Sequence, residues 1–438
     1  MKPARLTELR LTDFKTFRDE VLPLGKLTLV IGGNAVGKSN ALDGLLTLAR
    51  LFSGLPVREA LDGTRKAPSP IRGGTQGCIP AGKGGFAVGC TIEDGDNSLT
   101  IEVRLSRERK FLDLKAEDGE RPTAGSPDDR PLTLAVAVTD SLNCTAELTV
   151  AERGPRRADH TEATSTQVNS ATTHVSPRVN LVAEVEKQDP GQGEVVEHLL
   201  SALDRLLLLT PEPDKMRGYV PITDTELQTD ASNLSATIEA MRTSAPESFG
   251  KLENLASSLS KGRITALESI TTSVGDVQLS FREGDARIPA RLASDGTLRL
   301  LAFGSALLSS PSLDLQPGSE QLIMIEEIER GLYPAQAGLL LNLLEQELEQ
   351  RATAILSTTH SPALLSALPA KHHPHIIVCS RSSETGLSRL TPLTELPGYV
   401  DLLASGGVGA ALSTDRLDDA HRQREGLSPE FAAFLESM

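Results

Sequence analysis

The chain predicts an α/β protein with a parallel core sheet, an antiparallel β lobe and an inserted helical lobe. Three observations predict it. A glycine-rich loop, residues 32–39, sits between a short apolar run and a helical pattern. Strand and helix patterns alternate over 321–380, as parallel strands joined by helices require. Two-residue alternation with turn residues fills 4–31 and the stretch from Phe86, which suits antiparallel hairpins.

The elements follow in order. In 4–31, Leu6, Leu9 and Leu11 precede Phe14 and Phe17, and the segment ends on the β-rich run KLTLVI at 26–31. Residues 40–52 place Leu42, Leu45, Leu46, Leu48 and Leu51 to suit one buried helix face. From Phe86, turn residues at Asp94, Gly95, Asp96 and Asn97, and again at Asp118 and Gly119, predict hairpins. Residues 151–178 are rich in Ser, Thr and charge and poor in large apolar groups, so they predict a mobile surface loop. The run VVEHLLSALDRLLLL at 195–209 predicts a helical or buried segment, and 233–241 and 251–259 predict amphipathic helices, so 185–265 forms a helical lobe. Strands return over 270–291, with a turn at Glu283, Gly284 and Asp285. The final α/β stretch has strands at 321–325, 353–357 and 375–380 and a helix at 334–349. Beyond it, ELPGYVDLLASGGVG predicts a bent surface segment, a partner dock or a cap on the preceding domain.

Composition narrows the function classes. The chain has 438 residues, with 44 Lys and Arg against 59 Asp and Glu, a net charge of −15. A surface that acidic does not attract nucleic acid by default. With no Trp and 3 Tyr, an aromatic platform for single strands is not expected. Cys78, Cys90, Cys144 and Cys379 form no C-x-x-C pair and read as reduced thiols. No apolar run spans a bilayer and no signal-peptide core opens the chain, so a cytoplasmic protein without a membrane partner is expected.

Four motifs carry chemistry. The loop Gly32, Gly33, Asn34, Ala35, Val36, Gly37, Lys38, Ser39 is a complete G-x-x-x-x-G-K-[ST] pattern in its required strand–loop–helix context. Gly32 and Gly37 let backbone N–H groups converge, and the helix N-terminus adds its positive dipole end. Lys38 brings a point charge to the β- and γ-phosphates, and the Ser39 hydroxyl offers a hard oxygen to Mg²⁺. In LIMIEEIERGLYP, four apolar residues end in Glu326 and Glu327. A buried strand of an open α/β sheet presents such acids at its carboxyl end, where ligands bind. Glu326 suits the Mg²⁺ shell through water, and Glu327 suits the general base that polarises the attacking water.

In LASDGTLR, Ser294 suits a helix N-cap, and Gly296 leaves the backbone bare for an anion. One chain cannot easily bring this helix end to its own glycine loop, so the motif predicts a head-to-tail homodimer with two ATP molecules between protomers. In ILSTTHSP, an apolar strand ends in a polar triplet and His360, which can reach the γ-phosphate or the attacking water.

These four motifs, in this order, resemble the ABC-type ATPase head of RecF-like, SMC-like and OLD-like proteins, and most nearly the stand-alone OLD-like prokaryotic ATPases. The family pattern looks like G-x-N-x-x-G-K-S-N, S-D-G-T-x-R, E-E-P-E-x-G-L-H-P and T-T-H-S-P. This chain has GGNAVGKSN, SDGTLR, EEIERGLYP and TTHSP. The resemblance covers 4–115 and 265–380. It implies an ABC-type P-loop ATPase head split into an N-terminal part with the glycine loop and hairpins (1–150) and a C-terminal part with the signature, acidic strand and His switch (266–390). Between them lies an insertion (151–265), and a tail follows (391–438).

By resemblance the loop through Asn40 binds ATP, Lys38 and Ser39 hold phosphate and Mg²⁺, Glu327 is the base and His360 the switch. Ser294 and Gly296 contact the partner's ATP. Gln76, in IRGGTQG, matches the place of the family's Mg²⁺-sensing lid glutamine, or it belongs to an ordinary glycine loop. Ile328 stands where the pattern has Pro and Tyr333 where it has His, which predicts an altered dimer contact more than lost hydrolysis.

Missing features select among subtypes. The interval between the two halves has no long heptad stretch, which disfavours the SMC branch. The residues after His360 are too few for a Toprim nuclease domain, and Asp418 and Asp419 read as a solvated helix face, so no nuclease activity is expected in this chain. Three readings remain: an ATPase that powers or gates a partner effector, such as a phage-defence nuclease encoded nearby; a nucleotide-switched scaffold; and a RecF-like clamp on duplex DNA. The clamp would use the cluster Arg104, Arg107, Arg109 and Lys110, which also suits a protected strand edge.

Overall fold

The computed structural model describes residues 2–64, 69, 71–106, 132–140, 145–152, 177–188, 190–309, 318–404 and 407–413. The expected turn at Asp118 and Gly119, the basic residues Arg107, Arg109 and Lys110, and Asp418 and Asp419 lie outside these residues. So does nearly all of the expected loop 151–178; its first two residues complete a strand and its last two open a helix. The chain forms two compact units. One comprises Met1–Pro23, Asn40–Asp204 and Ser382–Ser388, the other Leu24–Ser39, Arg205–Arg381 and Arg389–Met438.

With elements numbered along the whole chain, the first unit holds strands β1 (Arg5–Phe14), β2 (Phe17–Pro23), β4 (Gly85–Glu93), β5 (Ser98–Ser106), β6 (Leu132–Asp140) and β7 (Thr145–Glu152). They form an antiparallel array in the order β7-β6-β5-β4-β1-β2. The two-residue period shows directly in β5, where Leu99, Ile101, Val103 and Leu105 are buried and Glu102 and Arg104 face the other way. Helices α1 (Lys38–Phe52, in this unit from Asn40), α2 (Val57–Asp62), α3 (Gly74–Cys78), α4 (Pro177–Gln188) and α5 (Gln192–Asp204) complete it. Helix α1 lies so close to β1 that a Cβ at Gly44 would stand 2.3 Å from Leu11 Cδ2. The buried Asp43 of α1 is neutralised by Lys15 and by Arg72, whose Nη2 lies 3.0 Å from Oδ1.

The second unit holds the predicted parallel sheet. Strands β3 (Leu27–Ile31), β8 (Leu206–Leu209), β13 (Gln321–Ile325), β14 (Thr353–Thr359) and β15 (Ile376–Arg381) run in the order β15-β3-β14-β13-β8. The paired neighbours are parallel. Every residue of β3 and β14 is buried, as a strand covered on both faces requires. A small antiparallel sheet is built from β9 (Val220–Pro221), β10 (Ile264–Thr271), β11 (Asp276–Glu283) and β12 (Ala286–Pro289). The helices are α6 (Pro213–Met216), α7 (Leu234–Ser244), α8 (Pro246–Leu259), α9 (Asp295–Leu308), α10 (Pro334–Leu348), α11 (Pro362–Ala367), α12 (Tyr399–Ala404) and α13 (Gly407–Ser413). The last strand, β16 (Ser388–Pro392), begins in the first unit and ends in the second. The core of this unit gathers Leu298, Leu301, Ile323, Ile325, Ile355 and Leu344, each contributing about 1.5–3 kcal/mol by burial.

Two local expectations change. The end of the 195–209 run is strand β8, not helix. LLLL carries no helical period, and pairing with β13 overrides leucine's helix preference. The tail after Thr391 is not a bent surface segment in its described part. Leu393, Leu396, Leu402, Val408 and Ala411 are buried in the core of the second unit, and Tyr399 Oη lies 2.8 Å from His373 Nδ1. Among the described residues no helix is long and apolar enough to cross a membrane.

Candidate functional site

Strand register assembles the site within the second unit. Ile31 pairs with Thr359 and Val378, and Ile325 pairs with Ser357. The residues that follow these strand ends are the glycine loop, His360, and Glu326 with Glu327. Three motifs far apart in sequence therefore leave the sheet at its carboxyl edge, where an open parallel sheet binds ligands.

The loop's backbone is specialised. Gly32 has φ +146°, Gly37 +115° and Ala35 +60°. A Cβ at Gly32 would stand 2.2 Å from the Cys379 carbonyl oxygen, so close approach to β15 demands glycine there. β15 holds the loop from outside: the Cys379 thiol donates to Val36 O at 3.4 Å and Arg381 Nη1 to Ala35 O at 3.3 Å. Lys38, at the first turn of α1, is buried and donates to the carbonyls of Gly32 at 2.9 Å and Gly33 at 2.5 Å. The ammonium is thus held on the loop itself. Gly33, Val36, Gly37 and Ser39 are half-buried, and Asn34 and Ala35 are exposed. Asn40 falls in the first compact unit, where its Nδ2 donates to Thr16 Oγ1 at 3.0 Å.

The acidic loop is laced to β14. Glu327 has φ +50°, a left-handed conformation costing a side-chain-bearing residue about 1–3 kcal/mol. Its N–H donates to Thr358 Oγ1 at 2.9 Å, and Ser357 Oγ donates to Ile325 O at 2.9 Å. The Glu327 carboxylate is 41% exposed and the His360 ring 49%, so both reach solvent at the edge. His360 Nδ1 is 3.7 Å from Glu327 Oε1 and 3.2 Å from Oε1 of Glu329, a residue the sequence reading passed over. Its signal was present as the third acid of EEIERGLYP. Arg381 and Cys379, at the end of β15, left no such signal.

Glu326 is half-buried directly after β13. Its carboxylate and the Ser39 hydroxyl are the hard oxygen donors that suit Mg²⁺, which takes few protein ligands when phosphates supply the rest. Among the described residues, no group of three or more His, Cys, Asp or Glu side chains forms a protein-only metal cage.

The signature region belongs to the same unit. Ser294 is exposed and caps α9, accepting from Thr297 N at 3.2 Å. Asp295 is held by Arg217 Nη2 at 2.6 Å. Gly296 is buried, contrary to the bare backbone the sequence suggested. A Cβ there would stand 2.5 Å from Gly331 O, so glycine is required by packing against the acidic loop. Arg299 lies against Gly331, where burial and the neighbouring Arg330 push its guanidinium down from its ordinary value. Ile328 is buried in the core, so its replacement of Pro is an interior matter, whereas Tyr333 is 73% exposed. Gln76 is exposed on α3, in the first compact unit.

Residues 199–366 match an AAA domain. The matching family is described as "AAA domain, putative AbiEii toxin, Type IV TA system". The matched span takes in Ser294, Gly296, Glu326, Glu327 and His360, but not the glycine loop. Among solved structures, the chain is similar to the SMC head domain from Thermotoga maritima at 15% identity and a TM-score of 0.40, over 89% of this chain and 98% of that one. The SMC head bound to the C-winged helix domain of ScpA aligns at 14% identity and a TM-score of 0.49, over 88% and 97%. An SMC head with an extended coiled coil, bound to the C-terminal domain of ScpA derived from Pyrococcus furiosus, aligns at 14% and 0.42, over 89% and 96%. No curated protein matches the chain.

Proposed function

We propose that this protein is an ABC-type ATPase of the RecF/SMC group whose nucleotide cycle gates a partner effector. The observation that carries the reading is the register of β3, β14 and β13, which brings the glycine loop, His360 and Glu327 to one carboxyl edge. The AAA description of the matched family supports ATP as the nucleotide.

In this reading the backbone N–H groups of residues 32–39 and the N-terminus of α1 bind the phosphates. Lys38 leaves its loop carbonyls for the β- and γ-oxygens. Ser39 and Glu326 would hold Mg²⁺, and its positive charge would offset that of the phosphates. Glu327 takes a proton from the attacking water, and His360 orients that water or the γ-phosphate. The exposed Ser294 end of α9 meets the nucleotide of a second copy, so two ATP molecules close a homodimer. Buried Gly296 serves that contact by letting α9 seat on the acidic loop. The effector is a separate protein, such as a phage-defence nuclease. The duplex-clamp reading has no comparable support: Arg104, the described member of its basic cluster, pairs with Glu102 at 3.2 Å.

The test is ATP turnover and solution mass, with and without ATP, for wild type and Glu327→Gln. Turnover by wild type, with ATP-bound dimer accumulating in the variant, is expected. ATP binding by neither protein, or no change of mass, would overturn the reading.

A further inference from the structure

Glu329 has no role in the steps above, yet its surroundings are unusual. It lies two residues past the base, and its side chain is 11% exposed where its neighbours Glu327 and His360 are nearly half exposed. Its Oε1 accepts the backbone N–H of His360 at 2.8 Å and lies 3.2 Å from the ring Nδ1. Its Oε2 is buried and, among the described residues, has no hydrogen-bond partner. A carboxylate oxygen held away from water without a partner is costly. Something must offset that cost; among the described residues this carboxylate accepts one hydrogen bond, from the His360 backbone N–H, and its ion-pair contact is with the His360 ring.

We propose, resting on the ATPase reading, that Glu329 is a positioning residue that selects the tautomer of His360. A carboxylate against Nδ1 accepts Nδ1–H and stabilises the ring with that proton in place. Nε2 then carries the lone pair. That makes the neutral ring an acceptor toward the attacking water rather than a donor toward the γ-phosphate. The backbone bond from His360 N–H fixes the start of the turn after β14, so one carboxylate oxygen sets both the place and the proton of the switch residue. Glu327 remains the base; its oxygen is the farther of the two from Nδ1.

The first test does not depend on turnover. In full-length protein labelled with ¹⁵N-histidine, long-range ¹H–¹⁵N spectra at neutral pH report each ring's tautomer, and His360→Gln identifies the His360 signal. The Nδ1–H form is expected in wild type, and Glu329→Ala should move the ring toward the Nε2–H form. An Nε2–H ring in wild type, or a spectrum unchanged by Glu329→Ala, overturns the proposal whether or not the protein hydrolyses ATP.

The second test is kinetic. Glu329→Ala should lower kcat about 10–100-fold, as should His360→Ala, with ATP affinity unchanged. The double variant should be no slower than either single one. Glu329→Gln keeps an acceptor oxygen and should return the rate to within about five-fold of wild type. Losses that multiply in the double variant, or no rescue by Gln in a protein that melts normally, overturn it. Failure of wild type to hydrolyse ATP would sink the ATPase reading alone.

Discussion

The two edges of the parallel sheet treat charge in opposite ways. At the amino edge, strands β3, β8, β13 and β14 follow Lys26, Arg205, Glu320 and Arg351, and each of these has a polar partner. Lys26 pairs with Glu320 and donates to Arg351 O at 3.0 Å. Arg205 Nη1 donates to Ser319 O at 2.6 Å. Arg351 Nε donates to Glu347 at 2.7 Å, and Lys251 reaches the same carboxylate at 2.8 Å. At the carboxyl edge, Glu327 and His360 are nearly half exposed, Glu329 keeps a buried oxygen without a hydrogen-bond partner among the described residues, and Glu327 is strained. Paired charge at one edge holds the sheet ends together. Under-paired charge at the other is what a site needs if its groups are to interact with a ligand more strongly than with each other.

That contrast can be broken by mutation. Its largest expected effect is at the carboxyl edge. Glu327→Gln should cut ATP turnover about 10³-fold, roughly 4 kcal/mol of barrier, with ATP binding retained and the melting temperature unchanged. A large loss of melting temperature would make Glu327 a structural residue and erase the contrast.

Gly32→Ala should come next. Its Cβ would lie 2.2 Å from the Cys379 carbonyl oxygen at a backbone angle of +146°. A cost of about 3 kcal/mol in denaturant unfolding is expected, together with loss of nucleotide binding. An unchanged unfolding midpoint would mean the loop is free to move away from β15.

The amino edge should show the reverse behaviour. Glu347 is 2% exposed; burial favours its neutral form, but Arg351 and Lys251 outweigh that and hold the carboxyl below its ordinary 4.5. Glu347→Ala should cost about 2 kcal/mol of stability and leave turnover per folded molecule intact. Because the folded value is depressed, the contribution is present above pH 4.5 and lost as pH falls through the folded value. Unfolding followed from pH 7 downward should therefore show a shallower acid decline in Glu347→Gln than in wild type. Equal slopes would show that the pair does not set the acid limb.

The smallest effect belongs to Lys26→Met. Its partner Glu320 is buried, but the lysine is 48% exposed, so about 0.5–1 kcal/mol of stability and no change in turnover are expected. A larger loss would mean that the amino edge acts as a connected network rather than as separate pairs.

Much of this was legible in the sequence because the information is local. The glycine loop encodes its own backbone: Gly32 and Gly37 occupy positive φ, and an apolar run precedes them. The acids fall where β13 stops being apolar, and Ser294 caps the helix it was expected to cap. The apolar runs at 26–31 and 353–357 were readable as strands, and the structure buries β3 and β14 along their whole length. What failed to show was ambiguous or distant. The four leucines of β8 have no period to read, and the tail's residues left a surface segment, a partner dock and a cap on the preceding domain all open.

By itself, then, the sequence determined the fold class, the glycine-rich loop and the acids and histidine that follow two strands, since each depends on residues within a few positions of one another. Only the tertiary structure decided that Glu329 meets His360 and that Gly296 must yield to Gly331. Those contacts join segments about thirty residues apart or more. They exist because parallel pairing aligns Ile325 with Ser357 and because α9 seats on the acidic loop. Register between distant strands is set by the packing of the whole core, and no short stretch of sequence carries it.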